Sequence, residues 1–81
     1  MSEDPTFKNI LNALANNPDS AVRIEAAQTL GNYVDQLTDA EYEAARSALD
    51  KALTDPDPMV LMAAMNAMTA YNRRGASALV E

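Results

Sequence analysis

The sequence contains neither cysteine nor histidine. Disulfides, thiolate nucleophiles, zinc fingers, histidine-ligated haem and imidazole acid–base catalysis are therefore excluded. Glycine occurs twice, at Gly31 and Gly75, and two isolated glycines cannot form a phosphate-cradling loop. Positive charge is also scarce. Six Lys or Arg stand against twelve Asp or Glu, a net charge of −6 that repels a phosphate backbone. No apolar run approaches the roughly 18–20 residues that a membrane span requires. Residues 1–20 lack the basic and then apolar order of a secretory signal. From these absences we expect a cytoplasmic protein with neither a nucleic-acid nor a membrane partner.

What is present is the composition of one folded domain: 81 residues, 48% apolar and 22% charged. Ala, Leu, Met, Asn and Glu dominate, β-branched residues are few, and no segment alternates with period two long enough to form a strand. Each proline cluster reads as a helix boundary: Asp4-Pro5, Pro18-Asp19 and Pro56-Asp57-Pro58.

Four helices are expected. The first runs from Pro5 to Asn16, with Phe7, Ile10, Leu11 and Leu14 on one face. The second runs from Ser20 to about Gln36 on an apolar face of Val22, Ala26, Ala27, Leu30, Tyr33, Val34 and Leu37. The third follows a Thr38–Glu41 capping box and continues to about Leu53, burying Tyr42, Ala45, Ala48, Leu49, Ala52 and Leu53. The fourth opens at an Asp57 cap and reaches Arg74, with Gly75 free to take the left-handed conformation after its end. Gly31, inside the second helix, costs about 1 kcal/mol relative to alanine; a close helix crossing there would account for it.

The chain also repeats itself. Ile10 and Leu14 align with Leu49 and Leu53 at an offset of 39. Val22, Ala26, Leu30 and Tyr33 align with Val60, Ala64, Met68 and Tyr71 at an offset of 38. A two-helix unit with a period near 40 falls in the range of helical-repeat arrays. The run Pro18-Asp19-Ser20-Ala21-Val22-Arg23, followed by Glu25-Ala26-Ala27 and Leu30-Gly31, resembles the HEAT-repeat pattern, in the short type similar to repeats of phycobilisome-lyase-like proteins. The second unit departs from it, with Leu61 at the arginine position and Met65 at the second alanine.

The resemblance implies an all-α fold of four helices as two stacked antiparallel hairpins, an α-α superhelix. Repeat one would span 5–37 and repeat two 38–75, with a short tail at 76–81, inside a single domain 1–81. It also implies that Arg23 bridges to the Asp55–Asp57 turn of the second repeat. Two repeats are fewer than the three or so a solenoid usually needs to bury a continuous core. Either the stack is minimal or something else covers its open ends. A four-helix bundle around one centre is the alternative.

Chemistry is poorly supplied. Asp35, Asp39, Glu41 and Glu43 read as cap and dipole residues around the third helix, and Asp55 and Asp57 as turn and cap residues. Ser2, Ser20, Ser47 and Ser77 lack a histidine partner, and Lys8 and Lys51 lack an activating pocket. No catalytic residue, metal ligand or cofactor is expected. The methionines are the anomaly. On the fourth helix Val60, Ala63, Ala64, Ala67 and Tyr71 share one face at about 100° per residue, Leu61, Met65 and Met68 widen it to one side, and Met59 and Met62 lie nearly opposite. Met65 and Met68 suit irregular core gaps, whereas a helix apolar nearly all round has more greasy surface than a small chain can cover. Arg73 and Arg74 complement the expected helix end, with an isolated contact to an acidic partner or a phosphate as their second use. We therefore expect a non-catalytic protein-interaction module working through the second and fourth helices, with Met59, Leu61, Met62, Met65 and Arg73 binding a protein partner or a further copy in a homo-oligomer. The alternative is a small accessory subunit or cofactor-handling factor of an enzyme.

Overall fold

The computed structural model of the chain describes residues 5–80. Residues 1–4, Ser2 among them, and Glu81 at the end of the expected tail lie outside the described residues, as does the side chain of Ser77. Four helices appear in order: α1 (Pro5–Asn16), α2 (Ser20–Asn32), α3 (Asp39–Ala52) and α4 (Pro58–Val80), with a 3-10 turn, Val34–Gln36, between α2 and α3.

Local chemistry sets the helix starts. Asp19, in extended conformation, accepts from the Ala21 amide at 2.9 Å, and Asp57 accepts from the Met59 amide at the same distance. Each satisfies an amide that has no partner within its helix. At α3 both halves of the capping box form: Thr38 Oγ1 accepts from the Glu41 amide at 3.2 Å, and Glu41 Oε1 accepts from the Thr38 amide at 2.9 Å. Glu41 is buried by this role, and its Oε2 has no hydrogen-bond partner among the described residues.

The arrangement is two hairpins laid side by side. α1 packs on α2 and α3 on α4 within the hairpins, while α2 meets α4 and α1 meets α3 across them. The α2–α4 contact is the most extensive of the four. An up-and-down bundle around one centre would instead place α2 beside α3 and α1 beside α4. Those pairs hardly touch, so the stacked arrangement holds and the bundle does not.

Burial follows the repeat. Phe7, Leu14, Ala26, Ala27, Leu30, Val34 and Leu37 from the first half join Ala45, Leu49, Ala52, Val60, Ala63, Ala64, Ala67 and Tyr71 from the second in one core. Gly31 is the point of closest approach: a Cβ built there would lie 3.1 Å from the Ala67 Cβ and 3.2 Å from its Cα. Alanines at the crossing bring the α2 and α4 axes together, and the missing side chain at residue 31 completes the fit.

Three expectations need correction. α2 stops at Asn32, and the chain continues to Gln36 as a 3-10 turn. The reason lies across the interface: Tyr71 Oη donates to the Leu30 carbonyl at 2.8 Å, and Arg74 Nη1 donates to the Val34 carbonyl. Side chains of α4 thus hold carbonyls at the end of α2 and in the turn beyond it. Secondly, α4 passes through Gly75 to Val80, so Gly75 is no helix terminator and residues 76–80 extend the helix rather than forming a tail. A Cβ at Gly75 would come within 3.0 Å of the Tyr42 hydroxyl, which donates to the Tyr71 carbonyl at 2.9 Å. Glycine is there to admit that hydroxyl. Thirdly, Tyr33 leaves the apolar face of α2 at the turn and is 45% exposed.

Candidate interaction surface

Two polar clusters fasten the hairpins together and thereby fix which faces stay open. At one end, the Arg23 guanidinium forms a fork on Asp55, with Nε to Oδ2 at 2.9 Å and Nη2 to Oδ1 at 3.2 Å. Its Nη1 donates to the Asn17 carbonyl at 2.7 Å. One arginine thus ties the α1–α2 turn to the α3–α4 turn, as the resemblance implied. Asp55 Oδ1 also accepts from the Asp57 amide at 2.8 Å. That backbone donor, more than Arg23, holds the Asp55 carboxyl below the ordinary carboxylate range, while partial burial opposes it.

At the other end, the Tyr42 and Tyr71 rings stack with centroids 5.4 Å apart and planes 15° apart. The Arg74 guanidinium lies 4.6 Å above the Tyr42 ring and 3.3 Å from the exposed Asp39 carboxylate. Tyr71 is fully buried, and burial pushes its phenol well above the usual value. Sequence reasoning missed this cluster. Arg74 sits inside α4, not at its end, and it braces the interface instead of complementing a helix terminus.

The five residues expected to bind a partner occupy two different parts of α4. Met59 (57% exposed), Met62 (56%) and the exposed Arg73 lie on the side turned away from the buried stripe. Met65, 55% exposed, lies on the flank that points away from α2, next to the half-buried Leu61 and Met68. Of the two methionines suited to core gaps, Met68 packs against the core and Met65 does not. The structure therefore does not gather the five into one spot.

An apolar groove that the sequence did not announce lies at the opposite end of the stack. It occupies about 260 Å³ between α1 and α2, lined by Ile10, Ala13, Val22 and Ala26 with Thr6, Asn9, Glu25 and Thr29. Tyr33, Phe7 and Leu37 line its continuation. Tyr33 and Tyr71 share no pocket, since one lines this groove and the other is sealed between α2 and α4.

Among the described residues no cluster of acidic side chains is placed to hold a metal ion, and no helix is long and apolar enough to cross a membrane. No curated protein and no solved structure matches the sequence significantly. A family model for HEAT repeats matches residues 7–81, nearly the whole chain. With that match, the stacked hairpins and the arginine tie between turns, the chain belongs to the HEAT-repeat family.

Proposed function

We propose that this protein is a non-catalytic interaction module that docks a protein partner on the exposed side of α4. HEAT repeats in general mediate protein–protein contact or scaffolding. The observation that carries the reading for this chain is the exposure of Met59, Met62 and Met65 at more than half of their surface on a single helix. Flexible, polarizable methionines suit an adaptable contact surface. Arg73, exposed farther along the same helix, offers a fork for a carboxylate on the partner, and the cytoplasm is the compartment we assign to the protein. The alternative of an enzyme accessory subunit or cofactor-handling factor, of the phycobilisome-lyase-like kind, would gain support from a pocket between α2 and α4. A cleft of about 240 Å³ does lie along that seam, lined by Gln28, Gly31, Asn32, Ala63, Asn66, Ala67 and Ala70. Neither Tyr33, Tyr71 nor any carboxylate lines it, and those are the groups that reading requires.

Replacing Met62 by a photo-reactive methionine analogue in the native host tests the proposal. Cross-links from position 62 to another polypeptide are expected. Adducts confined to the chain itself would contradict it.

A further inference from the structure

The groove between α1 and α2 has a counterpart inside the molecule. At the offset of 39, its α1 residues Thr6, Asn9, Ile10 and Ala13 correspond to Ala45, Ala48, Leu49 and Ala52. At the offset of 38, its α2 residues Val22, Glu25, Ala26 and Thr29 correspond to Val60, Ala63, Ala64 and Ala67. Seven of these counterparts are buried and the eighth, Ala48, is half-buried. The groove is thus the first hairpin's copy of the face by which the second hairpin docks. Tyr33, on its continuation, is the copy of the fully buried Tyr71.

The mating face is duplicated too. In the first hairpin Arg23 reaches the α3–α4 turn and Ala27 and Leu30 are buried in the core, and their equivalents on α4 are Leu61, Met65 and Met68. On the outer helices, Phe7 and Leu11 correspond to Arg46 and Asp50, so this far end of the stack is apolar along α4 and charged along α3. Each wall of the groove mixes apolar and polar residues: Ile10 and Ala13 with Thr6 and Asn9 on α1, and Val22 and Ala26 with Glu25 and Thr29 on α2. Continuing the internal stacking from one molecule to the next sets Leu61, Met65 and Met68 against Val22 and Ala26 of the α2 wall, and Arg46 and Asp50 beside the polar groups of the α1 wall. It does not reproduce the internal contact in detail. Thr69 stands at the Gly31 position and Thr29 at the Ala67 position, so the axes of neighbouring molecules must sit farther apart. Methionines are long enough to span the wider gap.

We propose that the chain stacks head to tail on a second copy, with Leu61, Met65 and Met68 of one molecule entering the α1–α2 groove of the next. This deepens the reading of the chain as an interaction module and rests on it. The contact is heterologous, each molecule using a different face, so it grows beyond two unless an end is blocked.

Sedimentation velocity on the full chain tests this with two variants that each block one face. Wild-type mass is expected to rise with concentration past two chains. Met65→Glu and Ala13→Arg are each expected to stay at 8.7 kDa. Their mixture is expected to give a one-to-one dimer at twice that mass and nothing larger, because one variant keeps the groove and the other keeps the methionines. Far-UV circular dichroism checks both folds, and Thr29→Arg, on the opposite wall, replaces Ala13→Arg if the latter loses helix. A wild type that remains monomeric, a mixture that does not associate, or Ala13→Arg forming dimers alone through paired α4 helices would each overturn the proposal. A monomeric wild type that still cross-links from position 62 to other polypeptides would overturn this inference while leaving the interaction-module reading intact.

Discussion

Gly31 and Ala67 meet so closely that a methyl group on the glycine would lie 3.1 Å from the alanine Cβ. The glycine lowers α2 helix propensity by about 1 kcal/mol, and in exchange α2 and α4 close into the main interface of the molecule. Gly31→Val should destabilise the fold by about 1–3 kcal/mol through overpacking. Gly31→Ala should cost less, since regained propensity offsets a shift of a few tenths of an ångström. Urea unfolding of both variants checks the order, and a valine variant as stable as wild type would refute the close-crossing explanation.

Arg23 should be irreplaceable by lysine. The fork on Asp55 and the third bond to the Asn17 carbonyl require a planar guanidinium, which an ammonium cannot imitate. Arg23→Lys and Arg23→Ala should both lose about 1–2 kcal/mol, discounted for the partial exposure of the pair.

Acid should weaken this tie. Asp55 has a depressed folded-state pKa, so its contribution is complete above the unfolded carboxylate value of about 3.9 and is lost as pH falls through the lower folded value. Asp55→Asn should be less stable than wild type at neutral pH, and the gap should narrow in strong acid. Thermal melts across that range measure it, and a constant gap would count against the assignment.

Tyr71 carries the opposite sign. Burial raises its folded-state pKa, so its contribution is complete below the unfolded phenol value of about 10 and declines as pH rises toward the folded value. Tyr71→Phe removes the bond to the Leu30 carbonyl at a cost of about 1 kcal/mol and should flatten the alkaline limb of stability against pH. An unchanged alkaline limb would show that another group governs it.

Much of the architecture was legible because local rules and repeat spacing agreed. Asp19, Thr38–Glu41 and Asp57 announced helix starts by capping chemistry, and Val60, Ala63, Ala64, Ala67 and Tyr71 announced the buried stripe of α4 by period. What stayed hidden depended on contacts distant in sequence. Gly75 carries the ordinary signal of a helix end, and only the Tyr42 hydroxyl beside it shows the other reason for a glycine there. Arg74 looked like a dipole complement until Val34 and Tyr42 were brought beside it. The α1–α2 groove could not be foreseen from residues such as Ala26, which reads as core in either hairpin.

Exposed and packed methionines should separate cleanly in stability. Met59→Gln, Met62→Gln and Met65→Gln should each fall within about 0.5 kcal/mol of wild type, whereas Met68→Ala, which loses contacts with the core, should cost at least 1 kcal/mol.

The most direct test of the claim that α4 keeps apolar surface for contact and not for folding is affinity capture from the native host. The wild-type chain would be compared with a Met59→Gln, Met62→Gln, Met65→Gln triple variant of matched melting temperature, with retained proteins identified by mass spectrometry. Proteins retained by wild type, and further copies of the chain, should be lost from the triple variant. Identical retained sets would contradict the claim.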